Sequence, residues 1–184
     1  SMPLPLRTTI AWGEFLNVQP IPWVYGRCSV APLAFNAGQT QWCIADHPIS
    51  GVDAVQIDGA ETAFTWRNAA DSVGHPIALI ELATAPKDNG AVTVDVRGAM
   101  NEATGELLEN PADIARDVLR RSGIVIPAME WADFRRACQL AGITAGGSLA
   151  EITTLRAALD SLLSSIGAVW SGGARGWARL WPSN

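Results

Sequence analysis

The sequence predicts an α+β fold: a β-rich N-terminal part followed by about three helices and a closing β-hairpin. Three observations lead there. Short apolar segments broken by Pro, Gly, Asn and Asp run from Ile10 to Leu107. After Leu108 the apolar spacing changes to steps of three and four, which is helical. Strand-like runs then return on either side of "SGGARG" (171–176). Residues 1–108 and 109–184 are therefore expected as two parts, and 184 residues suffice for one substantial or two small domains. Hydrophobic residues make up 48% and charged residues 17%, which places the chain among folding, globular sequences.

In the first part, "QWCIA" (41–45), "VDAVQI" (52–57), "AFTW" (63–66), "IALIEL" (77–82) and "AVTVDVRG" (91–98) read as strands. Asp58-Gly59 predicts a hairpin turn, since Gly accepts positive φ, and "APKDNG" (85–90) is expected to serve the next pair in the same way. Val92, Val94 and Val96 alternate with Thr93 and Asp95, so one face of that strand should be buried.

In the second part, Asn110 is a good N-cap and Pro111 suits the first helical position. Ile114 and Val118 give a narrow apolar stripe, and Gly123 closes the helix after Arg120 and Arg121. A second helix is expected over about 129–140, with Trp131, Phe134, Cys138 and Ala141 on one side and Gly142 ending it. Ser148 and Glu151 have the spacing of a capping box, predicting a third helix whose seam is Ile152, Leu155, Leu159, Leu162 and Ile166.

Charge and cysteine content exclude several classes. The net charge is −5, with 5 basic and 12 acidic residues before Asn110 and 8 basic and 6 acidic from it onward. No run of Lys or Arg exceeds two, too sparse for a phosphate backbone, so no nucleic-acid partner is expected. Cys28, Cys43 and Cys138 are odd in number and lack C-x-x-C spacing, which argues against a disulfide framework or a zinc site. No stretch approaches 18 continuous apolar residues, so no membrane span is expected. Ser1 ahead of Met2 reads as an addition to native sequence, and the abrupt finish after Trp181 suggests a longer parent chain.

A search for chemistry yields no catalytic, cofactor-binding or metal-ligating residue. His47 and His75 both precede Pro and lie too far apart for a common metal motif, so they read as turn residues. Hydrolase, zincin and P-loop motifs are missing from the sequence. Asp113 and Asp117 fall on one helical face among Arg116, Arg120 and Arg121, the pattern of a solvated, charge-balanced face. Cys138 shares a stripe with Trp131 and Phe134 and reads as a small core residue. Eight Trp stand against one Tyr, and Trp12, Trp23, Trp42 and Trp66 in the first part could be core, interface anchors or sugar-stacking surfaces.

Two groups of segments carry a resemblance. "PIPWVYGR" (20–27), "VAPL" and "VDAVQIDG" (52–59) resemble the opening and the strand-to-hairpin passage of bacteriophage and prophage tail proteins of the tail-tip or baseplate-hub type. "NPADIARDVL" (110–119) and "SLAEITTLRAALDSLLSSIGAVW" (148–170), leading into "WARLW", resemble the helical section of the same proteins. Cys28 after Y-G-R and the Trp-rich closing strand depart from that pattern.

The resemblance implies a structural virion component, made in the bacterial cytoplasm and located in the tail. It would form a homo-oligomeric ring, often a trimer, beside tape-measure, tube, and fibre or spike proteins. The expectation is a scaffold that is not an enzyme and uses no cofactor, with Trp23, Tyr25 and Arg27 as interface contacts because aromatic and Arg residues anchor interfaces. Two other readings remain: a carbohydrate- or receptor-binding module using exposed, coplanar Trp, and a cell-wall hydrolase fragment needing a carboxyl of raised pKa in a cleft.

Overall fold

The computed structural model describes residues 2–7, 19–124, 128–151, 154–172 and 178–182. The chain forms two compact units: Leu6–Leu108 with Gly146–Glu151, and Ser1–Pro5 with Glu109–Ala145 and Ile152–Asn184. Two short segments thus cross the cut at 108. Backbone pairing explains both. Residues 147–149 supply a strand to the first unit, and Pro3 bridges Thr154 in the second, where Leu155 donates its N–H to the Met2 carbonyl at 2.9 Å.

The first unit is a β-sandwich. Its strands are β1 (Trp23–Tyr25), β2 (Arg27–Val30), β3 (Leu33–Ala34), β4 (Gln41–Ala45), β5 (Ile49–Ile57), β6 (Ala60–Glu61), β7 (Phe64–Ala70), β8 (Pro76–Leu82) and β9 (Val92–Ala99). One four-stranded antiparallel sheet runs β2-β9-β5-β6 and the other β3-β4-β8-β7. Strand alternation builds the core between them. Val92, Val94 and Val96 from one sheet meet Ala78, Ile80 and Leu82 from the other, with Val52, Val55 and Ile44. The alternating valines are thus buried as their spacing predicts. Asp58 and Gly59 sit at φ 51° and 81° and turn β5 into β6.

Strand β8 has few polar residues because both of its faces are covered. Ala78, Ile80 and Leu82 face the sandwich interior, while Ile77 and Leu79 join Ile21, Phe35 and Cys43 in a second apolar layer on the reverse face. The expected hairpin over 85–90 is not found. Strands β8 and β9 belong to different sheets, so that loop crosses between them and carries a 3₁₀ turn at Lys87–Asn89.

A further pair joins β1 to β10 (Gly147–Leu149), with Trp23 opposite Leu149 and Tyr25 opposite Gly147. This pairing overturns the expected capping box: Ser148 lies opposite Val24 in a strand. The open edge of β1 recruits the segment, and a tertiary ladder overrides a local capping preference. The third helix begins later, at Leu155, where the Thr154 hydroxyl accepts the Ala157 N–H at 3.1 Å.

The second unit contains α1 (Pro111–Arg121), α2 (Ala128–Ala141), α3 (Leu155–Ser164), and a hairpin of β11 (Ala168–Gly172) and β12 (Ala178–Pro182). Asn110 caps α1 by accepting the Ala112 N–H at 3.0 Å. The apolar stripe of α1 is broader than expected: Ala112, Ile114, Ala115, Val118 and Leu119 are all buried, because α1 packs against both α2 and α3. On α2, Trp131, Phe134 and Cys138 are buried, while Ala141 is exposed at the end of the helix. The buried seam of α3 is Leu155, Ala158, Leu159 and Leu163; Leu162 and Ile166 are half-buried, and Ile152 lies outside the described residues.

Gly98 permits a close backbone approach in the first unit. Its N–H donates to the Gly26 carbonyl at 2.7 Å. A Cβ there would lie 2.6 Å from the Val24 carbonyl carbon and 2.7 Å from the Tyr25 nitrogen, and backbone cannot swing aside as a side-chain tip can. Gly98→Ala should therefore destabilise the protein by about 3 kcal/mol in urea unfolding, at the upper end for overpacking. A loss below about 0.5 kcal/mol, typical of a surface substitution, would contradict this packing.

Candidate functional site

Of the three residues expected at an interface, two are inside the protein. Trp23 and Tyr25 are each 3% exposed, so they cannot present a surface to a neighbour, and only Arg27 reaches solvent. Strand β1 is buried along its whole length because it is tied down on several sides. His47, buried and missed by the sequence reading, is one of those ties. Its Nε2 accepts the Val24 N–H at 2.9 Å, while Nδ1 lies 2.8 Å from the Pro48 carbonyl. The second contact fixes the neutral tautomer with its proton on Nδ1. The imidazole also stacks on Tyr25, with ring centroids 6.0 Å apart. His47 is thus a strut for β1. His75 is exposed and lends its backbone to a turn.

Arg27 stands on the outer face of its sheet, where the Asp53 carboxylate lies 3.7 Å from Arg27 and 3.0 Å from Arg97. A register shift between Val52 and Ala54 places Asp53 there. All three side chains are well exposed, so the network contributes little to stability.

The tryptophans separate clearly. Trp42 is half-buried, and its indole N–H donates to the Gln39 carbonyl at 2.8 Å. Trp66, on β7, is exposed, and Trp12 lies outside the described residues. Trp66 borders a shallow recess of about 220 Å³ that is also lined by Gln41, Thr65, Arg67, Leu79, Ile80 and Glu81. That volume is below the roughly 300–1,000 Å³ of typical small-molecule sites.

A charged cluster lies at the turn joining β7 and β8. Arg7 bridges the carboxylates of Asp46 and Asp71, the latter at 2.8 Å. Asp71 Oδ1 also accepts the N–H groups of Val73 at 3.1 Å and His75 at 2.9 Å. Burial acts to raise the Asp71 carboxyl, but the His75 N–H, the Arg7 guanidinium and the Val73 N–H outweigh it and hold the group below the usual carboxylate range. The ligated, ionised acid is therefore a structural pin for the turn.

The cysteines are unreactive by environment. Burial, aided by the Asp46 carboxylate, pushes the Cys43 thiol up to about 12. Burial likewise raises Cys28 and Cys138, with Asp95 and Asp113 respectively adding to it. In the second unit Asp117 pairs with Arg120 and Arg121, each at 2.7 Å, while Asp113 pairs with Arg135 of α2, also at 2.7 Å. The carboxylates are charge-balanced as expected, with Arg135 as the partner of Asp113, but the face is not solvated throughout: Asp117 is buried.

Among the described residues, no group of three His, Cys, Asp or Glu is placed to hold a metal ion. No described helix is long and apolar enough to cross a membrane. No family model, curated protein or solved structure matches the chain.

Two predictions follow from these environments. Because the folded Asp71 value is depressed, its stabilisation is fully present above the ordinary carboxyl value of about 4 and is lost as pH falls through the folded value. Urea unfolding of the parent should weaken as pH falls below about 4 more steeply than that of Asp71→Asn. At neutral pH the variant should cost about 2–3 kcal/mol, less than a fully buried pair because Arg7 is partly in water. Equal acid sensitivity in the two proteins would refute the assignment. For the thiols, an aromatic disulfide reagent at about pH 8 should label none at the rate of free cysteine until denaturant exposes all 3. Rapid labelling of the native protein would contradict the burial described.

Proposed function

We propose that the chain is a structural component of a phage or prophage tail, at the tail tip or baseplate hub, scaffolding tail assembly and host attachment. The observation that carries the reading is where the family-like segments lie. "PIPWVYGR" and "SLAEI" are more than 120 residues apart, yet Trp23, Val24 and Tyr25 pair in register with Leu149, Ser148 and Gly147. Residues that carry the likeness therefore build the frame of a β platform. A scaffold of this kind works by holding neighbours: tape-measure, tube, and fibre or spike proteins, and further copies of itself in a ring. It makes or breaks no bond. The sandwich supports that role, and neither the raised thiols nor the ion-paired, ionised Asp71 is an activated nucleophile or acid.

The two rival readings have less support. A sugar platform needs neighbouring exposed indoles, but of Trp23, Trp42 and Trp66 only Trp66 is exposed. A glycosidase-type acid needs a raised carboxyl, whereas the resolved shift at Asp71 is downward.

Phage particles induced from the source bacterium provide the test. Mass spectrometry should find this polypeptide in purified particles, and antibody labelling in electron micrographs should mark the distal end of the tail. Particles lacking the polypeptide would overturn the proposal.

A further inference from the structure

The two sheets of the sandwich end in four edge strands, of which β7 is the longest. Strands β2, β3 and β6 have 4, 2 and 2 residues, the short edges by which sheet proteins avoid unwanted pairing. Strand β7 has 7 residues, contains no Pro, and pairs with β8 in unbroken register from Phe64 to Ala70. Its central residues, Thr65 to Asn68, are all exposed, and among the described residues no strand pairs with its outer edge. Trp66 is the third residue of that edge and is exposed.

We infer that β7 is the docking edge for a second copy of this chain, pairing antiparallel with its own counterpart about a two-fold axis at Trp66. The register follows from the side chains. An axis at Arg67 would set two guanidiniums directly opposite each other, which is unfavourable. An axis at Trp66 pairs the two indoles, a favourable cross-strand aromatic contact, and sets Thr65 opposite the Arg67 of the second copy. Thr65 is already paired with Glu81 on β8, and Thr65 and Arg67 share a face. The second copy's Arg67 then lies two strand spacings, roughly 9.6 Å, from Glu81, within the combined reach of the two side chains. Both groups are half-exposed, at 53% and 47%, and each pairs with the other inside its own chain at 3.6 Å. The dimer would convert two such pairs into a four-charge network of alternating sign.

The two four-stranded sheets become one of eight strands. The contact is small, at the low end of specific interfaces, so a dissociation constant of about 10 μM is expected. A two-fold contact of this kind is independent of the tail reading and stands or falls separately from it.

The test is sedimentation equilibrium on the whole chain from about 1 to 100 μM, with thermal unfolding to confirm that every variant is folded. The parent should show a monomer–dimer equilibrium. Arg67→Glu and Glu81→Arg should each weaken it at least about tenfold, because each puts like charges across the axis. An equimolar mixture of the two variants should recover a heterodimer, since both cross-chain contacts are then of opposite sign while the pair inside each chain stays repulsive. Trp66→Glu, which sets two carboxylates face to face on the axis, should also weaken the dimer. A parent that stays monomeric throughout, a dimer indifferent to these changes, or a mixture no tighter than its components would overturn the proposal.

Discussion

The hydrogen bonding of a single three-residue strand organises the first unit. Strand β1 places Val24 in the sandwich core and has its N–H satisfied by a buried imidazole, while Gly147–Leu149 returns from far along the chain to complete its ladder. The residue that follows is equally constrained: Gly26 donates to the Leu108 carbonyl at 2.9 Å and accepts from Gly98. Buried backbone groups must be paired, and a short strand enclosed on both faces has no water to fall back on. Those requirements account for a glycine at 98, a neutral histidine at 47, and a strand at 147–149 where a helix start was expected.

The β-rich part was largely legible because its signals are local. "QWCIA" matches β4 residue for residue, and the valines of β9 alternate as a half-buried strand must. Asn110 and Pro111 begin α1 where their stereochemistry requires. The failures involve pairings between distant residues. Ser148 and Glu151 carry a sound capping signal, but no local rule reports that β1 needs a partner. "APKDNG" is a sound turn, and only the sheet order shows that its flanking strands separate.

The candidate site was less legible for a related reason. Trp23, Tyr25 and Arg27 are residue types that anchor interfaces, yet composition carries no information about which side of a surface a ring occupies. Burial claims the two aromatics, leaving Arg27 on the outer face. His47 preceding a proline gave the signal of a turn, and its role depends on a backbone N–H 23 residues earlier. Trp66 was among the aromatics singled out, but its position on a long edge strand appears only once the strands are ordered. The features that bear on assembly are thus properties of sheet topology, set by which strands end a sheet and how long they are.

Native-state hydrogen exchange is the most direct measurement of whether β1 is the frame of this unit. The amides of Val24, Gly26 and Gly98 each donate within the tie that holds it. If the account is right, all three exchange only through global unfolding, with opening free energies equal to those of core amides in β8 and β9 and falling with denaturant at the same slope. Exchange of these three by local opening, at the free energies of exposed turns and with little denaturant dependence, would show that β1 is a peripheral strap and contradict the account.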